Sequence, residues 1–288
     1  MDANLVRRLL VAAVAIPLAV LLVWQGGWPL AALMALIGAL GCRELFDLAA
    51  KQGIAAFRTR GMIAAAIGPL LVYLAMTNGD GRLLVRGNWA YLVAAFMVML
   101  LVQVLHDRSP AERPLGAVAV TLFGVAYTAM LPSFLLAIRH GAWLERSWAG
   151  TALVFFPLVV TWVGDSAAML GGRAIGGAKL APTISPGKTR SGAIAGLVGA
   201  AAVAPLFALW LLPMVGIRLG VWQSVAMALV LGVVGQLGDL AESLFKREAG
   251  VKDSSSLIPG HGGVLDRFDS LYVVLPIAAL CYRLLGVV

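Results

Sequence analysis

Residues 221–269 read VWQSVAMALVLGVVGQLGDLAESLFKREAGVKDSSSLIPGHGGVLDRFD. The first part, Val221–Leu244, is apolar and long enough to cross the hydrocarbon core of a bilayer, which takes about 20 residues of α-helix. The second part is dense in charge, with Lys246, Arg247, Glu248, Lys252, Asp253, Asp266, Arg267 and Asp269, and His261 among glycines. Charges at membrane depth are costly unless they face a cavity, pair or bind an ion. An apolar span ending in such a cluster therefore marks both a membrane fold and a functional site.

The rest of the chain repeats the pattern. Of its 288 residues, 61% are hydrophobic and 12% charged, and the mean hydropathy of +0.92 is too high for a soluble globule. Nine apolar runs reach or approach spanning length: Leu5–Trp24, Trp28–Leu48, Met62–Thr77, Trp89–His106, Leu115–Ile138, Trp148–Leu170, Gly192–Leu212, Val221–Leu244 and Phe268–Leu285. Backbone groups in lipid must bond internally, and nothing alternates with the period of a membrane barrel. The expected fold is an all-α polytopic integral membrane protein with about nine transmembrane helices. Trp24, Trp28, Trp89, Trp143, Trp148, Trp210 and Trp222 fall near span ends, as an interfacial belt requires. Arg7 and Arg8 before the first run imitate a signal peptide, but no small-residue cleavage site follows, so the run reads as a retained span. Cys42 and Cys281 are isolated and form no motif.

Lys and Arg set the expected orientation. With the N-terminus inside, fifteen of them lie on the cytoplasmic side and six outside, while Arg43 lies within the second span. The positive-inside rule then places the N-terminus in the cytoplasm and the C-terminus outside. The net charge of +8 faces anionic lipid and suits an anionic substrate. It is spread over short loops, which argues against nucleic acid as a partner. One domain, 1–288, is expected. Residues 1–149 supply apolar helices with short loops, and 150–288 supply two longer polar loops, Gly171–Ser191 and Phe245–Arg267. Gly192 and Gly196 have the spacing of closely packed membrane helices. Packing within the fold is the preferred reading of that spacing, and a homodimer contact the other.

Several residues carry chemistry. Asp239, Glu242, Ser243 and Lys246 stand at i, i+3, i+4 and i+7, one polar stripe on a helix. Asp266 and Asp269 repeat the i, i+3 spacing where the last span begins. If the intervening loop folds back, carboxylates from two helix ends converge. That suits Mg²⁺, which takes one or two carboxylates plus substrate phosphates. Gly262 and Gly263 beside His261 could open backbone N–H groups to a phosphate, or simply turn the chain. Ser185-Pro-Gly-Lys188-Thr189 resembles the end of a phosphate-binding P-loop, but Pro182 stands where the first glycine is required. Lys188 and Arg190 read instead as phosphate-contacting cations. Asp165, inside the sixth span, should face a cavity or a partner.

These pieces have an order that resembles the integral membrane phosphatidate cytidylyltransferases. Their signature runs Ser-x-apolar-Lys-Arg, four residues, Lys-Asp, a small-residue stretch, then Pro-x-His-Gly-Gly-apolar-x-Asp-Arg-apolar-Asp. It is matched by Ser243, Lys246, Arg247, Lys252, Asp253, Pro259, His261, Gly262, Gly263, Asp266, Arg267 and Asp269. The likeness extends to Gly238-Asp239, Asp165-Ser-Ala-Ala and Ser185-Pro-x-Lys188-Thr189. One position departs: Ser191 stands where the family often has Glu.

The resemblance implies transfer of CMP from CTP to phosphatidic acid, with Mg²⁺ and room for a second cation, in a bacterial inner membrane with the site facing the cytoplasm. It implies Asp239 and Asp266 as metal ligands. Ser243, Lys246, Asp269 and Lys188 would stand at the reacting phosphates. Arg247, Lys252, Asp253, His261, Gly262, Gly263, Arg267, Ser185 and Asp165 would line the substrates. Two rivals fit less well. An ion-coupled transporter should show inverted repeats. A CDP-alcohol phosphatidyltransferase should show Asp-Gly-x-x-Ala-Arg. Neither is found.

Overall fold

The computed structural model describes residues 16–76, 87–141, 146–258, 260 and 262–287, and in it the chain is an all-α polytopic membrane protein. Helix α1 (Ile16–Gln25) leads into α2 (Gly27–Ala50), α3 (Arg58–Met76), α4 (Trp89–Asp107), α5 (Pro110–His140) and α6 (Trp148–Ile175). A two-stranded hairpin, β1 (Lys179–Ala181) and β2 (Ser185–Thr189), follows. Next come α7 (Arg190–Met214) and α8 (Val221–Glu248), then the short α9 (Leu265–Phe268) and α10 (Leu271–Leu284). Among the described residues, the seven helices α2 to α8 are long and apolar enough to span a membrane. Of the expected first span, the structure describes Ile16 onward.

Of the expected span at Phe268–Leu285, α9 and α10 make up most, and the backbone keeps right-handed helical dihedrals through Asp269 and Ser270 between them. Tyr272, Val274, Leu275, Ala278 and Tyr282 are fully enclosed. α10 packs among α5, α6 and α8. The Tyr282 hydroxyl donates to the Leu153 carbonyl at 2.9 Å.

Lipid tails are as apolar as leucine, so helix association in a bilayer depends on close packing. α6 and α7 achieve it with small residues. A Cβ at Gly192 would lie 2.7 Å from the Ala168 carbonyl oxygen, and one at Gly196 would lie 3.1 Å from the Gly164 carbonyl oxygen. The glycine spacing thus serves contacts inside the fold. α5 and α7 each contain a wide π-type turn, at Ala126–Met130 and Phe207–Leu211. The second follows Pro205, whose missing N–H interrupts the helical ladder.

The two ends of the bundle are held differently. At one end, Arg108 donates to the Ala55 carbonyl at 3.0 Å and Arg113 to the Gln52 carbonyl at 2.8 Å. At the other, Arg139 is fully buried and donates to the carbonyls of Val23 and Trp24, the last turn of α1. Trp24 packs on Trp148 and Trp28 on Tyr73 at that end.

Candidate active site

The polar stripe of α8 forms as its spacing predicts, and it organises the end of the bundle opposite Arg139. Ser243 Oγ donates to Asp239 Oδ1 at 3.4 Å. Asp239 is ion-paired with Lys188 of β2. Two turns further on, Lys246 Nζ lies between Glu242, at 2.5 Å, and Asp266 Oδ1, at 2.7 Å. Glu242 is fully buried, and Lys246 and Asp266 nearly so. Among the described residues, hydrogen-bond donors other than Lys246 do not reach the Glu242 carboxylate.

The hairpin that carries Lys188 was expected only as a loop. α6 runs to Ile175 and stops at Gly176, which adopts φ +66°, a conformation that favours glycine. β1 and β2 then pair antiparallel, Lys179 with Thr189 and Ala181 with Ser185. Thr189 Oγ1 caps α7 by accepting from Gly192 N at 3.0 Å, an interaction worth about 1 kcal/mol. Ser191, the departure from the family pattern, donates to the Gly176 carbonyl and closes the base of the hairpin. Arg247 donates through Nε to the Ile184 carbonyl at 3.1 Å and through Nη1 to the Val251 carbonyl at 3.0 Å. It thereby ties the hairpin turn to the end of α8.

The loop between α8 and α9 folds back as expected. Asp266 Oδ2 accepts from Ser254 N at 2.9 Å, Ser254 Oγ at 2.8 Å and Gly263 N at 2.8 Å. Burial works against the Asp266 charge. Lys246, Gly263 and Ser254 outweigh it and hold the carboxyl below the usual carboxylate range. The glycine pair has a steric reason. A Cβ on Gly263 would lie 2.1 Å from Ser254 Oγ and 2.4 Å from Glu44 Oε2, and one on Gly262 would lie 2.7 Å from Asp266 Oδ2. His261 lies outside the described residues. Lys252, Asp253 and Arg267 are exposed around the loop.

Asp269 accepts from its neighbour Ser270 N at 2.6 Å. The backbone there packs against α8, where a Cβ on Gly238 would lie 2.9 Å from the Asp269 carbonyl oxygen. Asp269, Asp165 and Asp239 lie within electrostatic reach of one another. Asp165 lines a small cleft between α6, α7 and α8 with Thr161, Gly164, Gly196 and Gln236.

Sequence reasoning missed Glu44 of α2, which is 3% exposed and bonded to the same loop. The signal was available, because an acid inside an apolar run is the feature that singled out Asp165.

The site brings Asp239 and Asp266 to one face of α8 but bonds each to its own lysine. Asp239 and Lys246, the partner of Asp266, stand about two turns, ~10 Å, apart along α8. Among the described residues, no group of three or more acidic, His or Cys side chains could by itself hold a metal ion. The donor set still fits Mg²⁺, which keeps several waters and uses one or two carboxylates beside substrate phosphates. Asp239 has only part of its carboxylate engaged, by Lys188 and Ser243, and two further acids stand nearby.

Comparison with known proteins identifies the family. A family model described as "Cytidylyltransferase family" matches residues 6–285. A protein of Brucella suis named phosphatidate cytidylyltransferase is 37% identical, with 97% of this chain and 92% of that protein aligned. Proteins of the same name from Staphylococcus haemolyticus and Synechocystis are 32% and 31% identical. Those alignments cover 94% of this chain in each case, and 96% and 94% of the relatives. On a match running nearly from end to end, together with relatives aligned over almost their whole length, this chain belongs to the cytidylyltransferase family of nucleotidyltransferases.

Proposed function

We propose that this chain transfers CMP from CTP to phosphatidic acid, releasing pyrophosphate and leaving CDP-diacylglycerol in the membrane. The observation that carries the reading is the pair of acid–lysine contacts, Asp239 with Lys188 and Asp266 with Lys246, gathered from α8, β2 and α9 at one end of a membrane bundle. Names borne by relatives aligned over more than nine-tenths of their length support the same substrates.

Both substrates are polyanions, so joining them is first an electrostatic problem. An oxygen of the lipid phosphate attacks the α-phosphorus of CTP. The new P–O bond forms as the bond to the α,β-bridging oxygen breaks, and pyrophosphate leaves with that electron pair. The attacking phosphate is already ionised near neutral pH, so no general base is assigned. Lys188, Lys246 and Ser243 orient the phosphates and offset their repulsion. Arg247 holds the hairpin that presents Lys188, and Lys252, Arg267 and Asp253 stand at the rim with Ser185. Mg²⁺ held by Asp239 and, with Lys246 turned to the substrate phosphates, by Asp266 would supply charge neutralisation, and Asp165 and Asp269 beside Asp239 leave room for a second cation. The site faces the cytoplasm of a bacterial inner membrane, with the N-terminus inside, because the basic residues concentrate at that end.

The test is purified protein in detergent, given CTP, phosphatidic acid and Mg²⁺, with pyrophosphate release followed over time. Activity that EDTA abolishes is expected. Ion flux in vesicles without any nucleotide turnover would overturn the reading.

A further inference from the structure

Glu44 belongs to α2, in the half of the chain without polar loops, yet its carboxylate faces none of the water at the end of that helix. It is 3% exposed and, among the described residues, has no ion-pair partner. A buried carboxylate needs several donors to remain charged. All of those found for it come from one segment more than two hundred residues away. Oε1 accepts from Ser255 Oγ at 2.7 Å and Val264 N at 3.0 Å, and Oε2 accepts from Ser254 Oγ at 2.9 Å and Leu265 N at 2.8 Å.

The same segment positions Asp266. Ser254 Oγ lies 2.9 Å from Glu44 Oε2 and 2.8 Å from Asp266 Oδ2. One hydroxyl hydrogen serves one of them at a time, so the two carboxylates are held against each other by the backbone donors around them. Gly263 fits between them because it has no Cβ. The contacts run from Glu44 to the loop, from the loop to Asp266, and from Asp266 to Lys246.

We propose that Glu44 is the positioning residue of the active-site loop. Its carboxylate gathers Ser254, Ser255, Val264 and Leu265, so that Asp266 and Lys246 meet the phosphates in a fixed place. The apolar half of the chain thereby supplies a part of the catalytic apparatus. The consequence for turnover rests on the activity proposed above; the consequence for the loop does not.

Glu44→Gln keeps the size and one acceptor oxygen but presents an NH₂ to groups that are themselves donors. Two measurements on the full-length protein in detergent decide. In amide hydrogen exchange, Val264 and Leu265 should exchange at least about tenfold faster than in wild type, while α6 and α7 keep their protection. In steady-state kinetics, kcat should fall about 10- to 100-fold with the KM for CTP within about threefold, because misplacing a group that acts in the transition state acts on kcat. Ser255→Ala, which removes one bond to Glu44 and none to Asp266, should show the same pattern at smaller amplitude. It carries the test if Glu44→Gln does not fold.

Wild-type exchange at Val264 and Leu265 would overturn the proposal. So would a change confined to KM, or equal loss of protection in every helix. A wild-type protein inactive on CTP and phosphatidic acid would sink the proposed function, yet the exchange experiment would still read the grip of Glu44 on the loop.

Discussion

Replacing Lys246 by methionine tests the centre of the site. The side chain of Lys246 is 10% exposed and lies between two carboxylates whose side chains are 0% and 4% exposed. Methionine keeps much of the length and removes the charge. Asp266 retains three donors from Ser254 and Gly263, but Glu242 is left with no partner among the described residues. Breaking a buried pair by removing one partner costs about 3–5 kcal/mol, because it strands a buried charge. At about 2–4 °C per kcal/mol for a chain of this size class, the thermal midpoint should fall by about 10 °C. Adding Glu242→Gln removes the stranded charge and should recover most of that loss. It should not restore catalysis, since the ammonium proposed to offset phosphate repulsion is still missing. Scanning fluorimetry in detergent and pyrophosphate release on the same samples read the two effects separately. An unchanged midpoint in Lys246→Met would refute the buried triad. Recovered turnover in the double variant would refute a phosphate role for Lys246.

Three further outcomes are expected. Asp239→Asn should lower turnover about 100-fold through lost charge stabilisation, with little change in thermal midpoint, because its side chain is 28% exposed; full turnover would remove Asp239 from the proposed metal site. Gly263→Ala should destabilise by about 1–3 kcal/mol through overpacking, since its methyl would fall 2.1 Å from Ser254 Oγ; a wild-type midpoint in fluorimetry would show that the loop has room. Arg139→Gln, at the far end of the bundle, should lower the midpoint by stranding the Val23 and Trp24 carbonyls at about 1–3 kcal/mol each, while kcat of the folded fraction stays at the wild-type value; a matching fall in kcat would refute its purely structural role.

Much of the site was legible because its signals are local. The stripe Asp239–Lys246 lies within two turns of one helix, so a 3.6-residue period places it on one face without knowledge of any neighbour. The clustering of Asp266 with that stripe needed only a loop that turns back. Other features depend on partners distant in the chain. The reading of Arg247 as a substrate contact could not include its bonds to Ile184 and Val251, because the hairpin that offers the Ile184 carbonyl is defined by pairing between β1 and β2. Glu44 was passed over because its donors lie more than two hundred residues away.

Composition and hydropathy alone determined that this protein is a helical membrane bundle, because bilayer length and internal hydrogen bonding leave a 61% hydrophobic chain with runs of this size no other spanning form. Tertiary structure alone decided which buried charge answers which: Lys188 goes to Asp239, Lys246 to Glu242 and Asp266, and Glu44 to the loop amides. A carboxylate removed from water must find its donors through space, and sequence spacing describes only the neighbours along one helix.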